Sequence, residues 1–253
     1  MAKSKTTQQL DKNGTITFEL TVSSSDINTS YQKHLNKIAK TIELKGFRKG
    51  KAPIDLVENS LDKSKVYSYV LEDVIPPGYL DYTKKNNLTP ISEPRVTPLT
   101  MQEGKDWTFK VEFAIMPDFK LGDYRSYLKK ALDEHSKVHT HDEKESEDEQ
   151  RNHKIGILFD AFLKNIDFSV SPILVEAESK AALSRLVEQL NALNLTVADY
   201  AKSMKKTEKE LVEEYNKNAT MRLRLELILQ KLQEELKPEV KDRKGVLDFL
   251  GKL

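Results

Sequence analysis

Residues 45–53 read Lys-Gly-Phe-Arg-Lys-Gly-Lys-Ala-Pro. Four of the first seven are basic (Lys45, Arg48, Lys49, Lys51), none is acidic, and one aromatic ring, Phe47, sits among them. Gly46 and Gly50 bracket the Phe-Arg-Lys centre and permit backbone conformations that other residues resist. Pro53 closes the stretch where a first helical turn would start. Two readings of the residues stand side by side. Phe47 folds back onto its own helices and the bases only solubilise the loop, or the ring is an aromatic anchor inside a charged rim. In the second case lysine and arginine would meet phosphates or carboxylates.

The flanks of this loop are periodic. Ile16, Phe18, Leu20 and Val22 alternate through Thr-Ile-Thr-Phe-Glu-Leu-Thr-Val at 15–22, which predicts a half-buried strand. Serines 23–25 offer N-caps, and Ile27, Tyr31, Leu35, Ile38 and Ile42 recur every three or four residues, predicting an amphipathic helix ending near Lys45-Gly46. Ile54, Val57 and Leu61 continue a second helix after the loop. A third periodic segment covers 64–86 and contains Pro76-Pro77-Gly78, which should kink or break it. Pro90, Pro94 and Pro98 demote any strand at 88–100 to an edge. Trp107, Phe109, Val111, Phe113 and Ile115 alternate again as a second secure strand. The first part of the chain is therefore expected to be α+β, with helices packed on a small antiparallel sheet and a protruding helical hairpin at the loop.

Residues 117–127 lead out of this domain, set at 1–127. Residues 128–153 are almost wholly polar, with six acids to one base in Asp-Glu-Lys-Glu-Ser-Glu-Asp-Glu at 142–149, and read as a linker or solvated helix. From 154 the pattern is all-α. Ile155, Leu158, Phe159, Phe162, Leu163 and Ile166 form one stripe, and Ser171-Pro172 marks a fresh helix start. Leu183, Leu186, Val187 and Leu190 form the next stripe, Thr196 caps a short helix, and 207–236 is the longest. On that last helix Met221, Leu225, Ile228, Leu229, Leu232 and Leu236 share a face, while Leu223 and Leu227 point to the other side. The tail after Leu236 either packs back on these helices or stays mobile.

Composition bounds the function. The 253 residues are 38% hydrophobic and 32% charged, with a mean hydropathy of −0.59, which suits thin, well-solvated helical parts. The net charge of +1 gives no whole-molecule field for nucleic acid or membrane, so any such affinity must be local. There is no cysteine, so disulfides and thiolate chemistry are excluded. The first fourteen residues carry no apolar signal region, and no run of about 18 apolar residues exists; a cytoplasmic protein is expected.

No P-loop, dinucleotide fingerprint, His-Glu-x-x-His or Gly-x-Ser-x-Gly occurs, and no catalytic residue is assigned. His135, His139, His141 and His153 cluster, and helical spacing would put His135 and His139 on one face. No cysteine joins them and nothing apolar nearby builds a shell, so they read as part of a polar linker, and no metal ligand or cofactor is assigned. The acid pairs Glu176/Glu178 and Glu213/Glu214 read as solvated helix faces.

Gly46-Phe47-Arg48-Lys49-Gly50-Lys51-Ala52-Pro53 resembles the Gly-Phe-Arg-x-Gly-x-x-Pro signature of trigger factor, the ribosome-associated bacterial chaperone family. The strand at 15–22, the helix before the loop, Trp-Thr-Phe-Lys-Val-Glu-Phe-Ala-Ile-Met-Pro at 107–117 and Asp-Phe-Lys-Leu-Gly-Asp-Tyr at 118–124 are similar to that family's N-terminal domain in order and spacing. Residues 155–236 resemble, more loosely, its helical C-terminal domain. The resemblance implies that Gly46, Phe47, Arg48, Lys49, Gly50, Lys51 and Pro53 dock at the ribosomal exit tunnel, on a ribosomal protein and adjacent ribosomal RNA. It further implies an ATP-independent chaperone, or holdase, whose apolar helical surfaces shield nascent and unfolded polypeptides.

One departure from the family pattern stands out. Where typical members carry a peptidyl-prolyl isomerase domain, this chain has only the polar stretch 128–153, so isomerase activity is expected to be missing and the chain not to be an enzyme. A second arm looks reduced or absent. Client contacts are expected at Met221, Leu223 and Leu227, off or beside the main stripe, and a weak homodimer would hide such surface. Two competing functions remain: a ribosome- or RNA-binding factor that holds no client, and an isomerase of unrecognised form.

Overall fold

The computed structural model describes residues 3–138, 146–237, 240 and 242–252. Its chain divides into two compact units, one ending at Ile115 and the other running on from Met116, whereas the change of composition placed the boundary at 127.

The first unit is a four-stranded antiparallel sheet in the order β1-β2-β4-β3, with helices on one face. Strands β2 (Thr15–Val22) and β4 (Trp107–Ala114) are central, and β1 (Lys3–Leu10) and β3 (Arg95–Thr100) are the edges. In the central ladder Ile16 faces Phe113, Phe18 faces Val111, Leu20 faces Phe109, and Val22 faces Trp107. All eight side chains are buried. Thr17, Glu19, Thr21, Thr108, Lys110 and Glu112 take the opposite face, where Lys110 pairs with Glu112 at 2.7 Å. Edge strand β1 has no apolar alternation in its sequence and was not foreseen; β2 recruits it through backbone pairing. Pro98 lies in edge strand β3, where a missing donor is tolerated.

Helices α1 (Ser24–Ala39), α2 (Ile54–Ser60) and α3 (Lys63–Lys85) cover the apolar face. Ser23 caps α1, its side chain accepting from the Asp26 N–H. The helix stops at Ala39, short of the Lys45-Gly46 end expected from its stripe; Ile42 still packs on the core from the loop. Helix α3 is continuous, contrary to the expected break at Pro76-Pro77. Val66, Val70, Val74, Gly78 and Tyr82 form a buried row at spacing four, while both prolines are exposed. The lost N–H donors therefore concern carbonyls on the side that water can reach, and burial of the row holds the helix together. Tyr82 stacks on Phe18 with centroids 3.7 Å apart, and Phe113 meets Phe18 and Tyr79 edge-on. Asp73 of α3 accepts from Ser30, Lys33 and His34 of α1, at 3.1, 2.7 and 2.9 Å.

The second unit is all helical among the described residues. Most of the polar stretch 128–153 is helix: it completes α4 (Tyr124–Val138) and starts α5 (Glu147–Asn165). Ser146 and Glu149 form a reciprocal capping box that begins α5 inside the acidic run. The succession α6 (Pro172–Ala192), α7 (Val197–Ser203), α8 (Glu208–Glu235) and α9 (Arg243–Gly251) follows. Tail helix α9 packs back, with Val246 and Leu250 buried. Asp248 of α9 pairs with Arg151, and Arg243 with Glu226. Arg224 of α8 donates to the carbonyls of Leu163 and Ile166, satisfying the C-terminal end of α5, and lies over the Phe168 ring. Phe168 in turn stacks on Phe119, with centroids 4.1 Å apart.

Two outcomes test this core. The Tyr82 hydroxyl is buried without a hydrogen-bond partner among the described residues. Tyr82→Phe is therefore expected to be neutral or stabilising in urea denaturation, whereas Phe18→Ala should cost about 3–5 kcal/mol. Hydrogen bonds from Lys33, then His34, hold the Asp73 carboxyl down at about 2. A depressed folded value stabilises above the unfolded value of about 3.9 and loses that contribution as pH falls toward about 2. Denaturation midpoints should drop between pH 4 and pH 2 in wild type and drop less steeply in Asp73→Asn.

Candidate functional site

The chain between α1 and α2 closes into a loop with a narrow neck. Gly50 donates its N–H to the Ile42 carbonyl at 3.3 Å, drawing the two sides together. A Cβ on Gly50 would lie 2.6 Å from the Lys40 carbonyl oxygen, so no side chain fits there. Beyond the neck, two turns follow one another. Phe47 donates its N–H to the Leu44 carbonyl at 3.0 Å, and Lys51 donates to the Arg48 carbonyl at 2.9 Å. The third position of each turn is a glycine with positive φ, Gly46 at 91° and Gly50 at 71°. The four-residue spacing of the glycines is thus the spacing of two consecutive turns that both require φ > 0.

This geometry decides where the side chains go. Phe47 is 42% exposed, a large share for a ring of that size. Lys45, Arg48, Lys49 and Lys51 are all exposed. No ion pair engages any of the four among the described residues. Pro53 N-caps α2, and Leu56 on α2 is 47% exposed. The fold anchors the loop at its base through Ile42, Leu44, Ala52 and Ile54, which pack on the core, and leaves the tip to solvent. Gly46, Phe47, Arg48, Lys49, Gly50, Lys51 and Pro53 form one continuous surface element. It is suited to a partner that brings negative charge and a site for one ring.

The helical unit holds a second apolar feature that the stripe reading missed. Leu186 and Leu190 of α6 are buried with Ala201 and Leu211. Leu183 and Val187, from the same stripe, instead line an open groove of about 660 Å³ with Val212 of α8. Glu176, Lys180 and Glu188 border it. Val187 and Val212 are each about two-fifths exposed, and Leu193, Leu195 and Met204 stand out in the turns on either side of α7. The available signal was breadth: four apolar positions on α6 exceed what the small cluster around Leu186 can bury.

The expected client residues separate. Met221 is exposed, Leu223 is half-buried, and Leu227 is buried among Ile228, Leu229 and Leu232. Helix α8 packs against α5, α6, α7 and α9, which covers most of both apolar stripes and leaves Met221 outside. Acid pair members Glu178 and Glu214 are held by Arg222 and Lys206, at 3.0 and 2.5 Å. Among the histidines, His135 and His153 come together across α4 and α5; His139 and His141 lie outside the described residues. Among the described residues no helix is long and apolar enough to cross a membrane.

Comparisons with known proteins agree with this layout. The family described as "Bacterial trigger factor protein (TF)" matches residues 3–151, more than half of the chain. The family described as "Bacterial trigger factor protein (TF) C-terminus" matches residues 130–244. A trigger factor of Clostridium acetobutylicum is 32% identical over 118 residues, covering 47% of this chain and 27% of that protein. One from Limosilactobacillus reuteri is 31% identical over 112 residues, covering 44% and 25%. The matched stretch thus spans about a quarter of these relatives' length. A solved chain reported under "Promiscuous Substrate Recognition in Folding and Assembly Activities of the Trigger Factor Chaperone" has a similar fold. Its TM-score is 0.59 at 11% identity, over 94% of this chain and 87% of the other.

The neck gives an ordered pair of expectations. Gly50→Ala carries both a strained φ and a backbone collision, and should destabilise the first unit by about 1–3 kcal/mol in urea denaturation. Gly46→Ala meets no atom within 4 Å and should cost only the φ penalty, about 1–2 kcal/mol.

Proposed function

Because this chain belongs to the bacterial trigger factor family, we propose that it is a chaperone that docks at the ribosomal exit tunnel through the 46–53 loop and shields unfolded segments on its helical unit. The carrying observation is the closed loop whose four cations meet no ion-pair partner among the described residues while Phe47 stands 42% exposed among them. Cations without internal partners are free to replace counterions on RNA phosphate or to meet acidic groups of a ribosomal protein. The ring supplies the apolar anchor that charge alone lacks.

For client holding we assign the α6–α8 groove with Leu183, Val187 and Val212, extended by Leu193, Leu195, Met204 and Met221. Leu227 drops out of that surface because it is buried; Leu223 stays at its margin. Scattered aliphatic and methionine side chains bind apolar segments weakly and broadly, which suits clients of unrelated sequence. No ATP, metal or other cofactor enters this reading. It also contains no isomerase: only 115–123 lie between β4 and α4, and only 139–146 between α4 and α5. Both connections are short beside the about 50 residues or more of a further domain, which supports this part of the reading. The reading places the protein in the cytoplasm, where ribosomes are.

Two arms test the proposal. Co-sedimentation with bacterial ribosomes should be salt-sensitive, and Phe47→Ala/Arg48→Ala/Lys49→Ala should weaken it at least about thirtyfold. Val187→Asp/Val212→Asp should leave sedimentation unchanged but abolish suppression of aggregation of an unfolded protein without ribosomes. Equal sedimentation of wild type and triple variant would remove the docking role. Ribosome binding without any suppression would favour a binding factor that holds no client.

A further inference from the structure

His135 and His153 lie 18 residues apart on different helices, yet their Nε2 atoms are 3.1 Å from one another. The rings meet edge to edge, at 62° between planes, so their outer nitrogens converge. In this contact one nitrogen donates and the other accepts. The same separation matches two nitrogens on one metal ion: two bonds of about 2.05 Å spanning 3.1 Å subtend about 98°, between square and tetrahedral ligand angles.

We propose that His135 and His153 form a two-imidazole chelate for a borderline divalent transition-metal ion of the Zn²⁺, Ni²⁺ or Cu²⁺ class, clipping α4 to α5. The surroundings favour a cation. His135 lies in the last turn of α4, where the helix end carries partial negative charge. The neighbouring cations are engaged elsewhere: Lys130 with Glu134, Arg151 with Asp248, and Lys154 with the Gly251 carbonyl. Both histidines are solvent-accessible, and an open groove of about 560 Å³ lined by Glu134, His135 and Asp160 gives an ion and its waters access. Among the described residues no third acidic or histidine ligand completes a cluster. Two imidazoles without a carboxylate select against Mg²⁺ and Ca²⁺, and the order of affinity is Cu²⁺ above Ni²⁺ and Zn²⁺.

This site is independent of the docking and client surfaces, and its test reads metal alone. Tag-free, chelator-stripped 253-residue chain is titrated calorimetrically with NiCl₂, ZnCl₂ and MgCl₂ at pH 7.5, beside folded His135→Ala and His153→Ala variants. The expected result is saturable Ni²⁺ and Zn²⁺ binding, absent for Mg²⁺, and at least about tenfold weaker in each variant. In wild type, bound Ni²⁺ should also protect His135 and His153 from diethylpyrocarbonate, read by peptide mass spectrometry, a readout that needs no variant to fold. No binding of either transition metal would overturn the proposal. So would binding undiminished in both variants, or protection confined to other histidines such as His139 and His141.

Discussion

Ile16, Phe18, Leu20 and Val22 face Phe113, Val111, Phe109 and Trp107 across the central ladder, and this two-strand strip has to be kept from water. At about 25 cal/mol per Å² of apolar surface, and with four aromatic rings in the strip, its burial is the main favourable term of the first unit. The requirement fixes the helices. Helix α3 lays its row of Val66, Val70, Val74, Gly78 and Tyr82 on the sheet, and α1 packs beside it through Ile27, Tyr31 and Leu35. Gly78 lies in that row one turn before Tyr82, which stacks on Phe18. With α1 held by the sheet and by the Asp73 cluster, the segment leaving it can reach α2 only through the 40–53 loop. The loop's base is therefore rigid for reasons unrelated to its tip.

That division explains which parts of the molecule were legible in the sequence. β2 and β4 announced themselves because a strand with one face on a core must alternate. β1 did not, because an edge strand can be recruited by backbone pairing alone. The proline pair misled for a similar reason. Local chemistry argues against helix at Pro76-Pro77, but the cost falls on the exposed side and the buried row outweighs it. The glycines at 46 and 50 were legible as a motif, yet their cause was not: the need for glycine at 50 comes from the Lys40 carbonyl across the neck, a contact no local pattern encodes. The α6 stripe was legible as apolar but not as divided between core and groove, since periodicity gives a direction and not the size of what covers it.

Around α7 the helical unit works with a small apolar cluster and with polar linkage. The cluster around Leu186, Leu190, Ala201 and Leu211 is small, and capping boxes at Thr196 and Thr207 start the helices that surround it. Arg224 ties α8 to the end of α5 through carbonyls and the Phe168 ring. A unit built this way can keep Val187, Val212 and Leu193 in solvent without collapsing around them, because caps and directional contacts define its helices apart from that surface. A thicker core would have claimed the same side chains, as it claimed Leu227.

On the proposed reading, the two surfaces divide the physical labour of a reversible binder. A net charge of +1 leaves no long-range field over the whole chain, so attraction to a polyanion comes from the loop and decays within about 8 Å at physiological salt. Such a short-ranged, salt-sensitive term orients an encounter more than it prolongs it. Residence must come from the apolar part, and in the loop that part is Phe47 alone. One ring on a stiff, glycine-defined turn loses little conformational freedom when it inserts, so it can contribute affinity without making release slow. The groove on the helical unit has the complementary character, with aliphatic surface bordered by both signs of charge. A chain that must let go of one large anionic partner and hold many dissimilar apolar ones gains from keeping the two jobs on separate surfaces. Each is then limited by a different force: salt-dependent attraction at the loop and buried area at the groove.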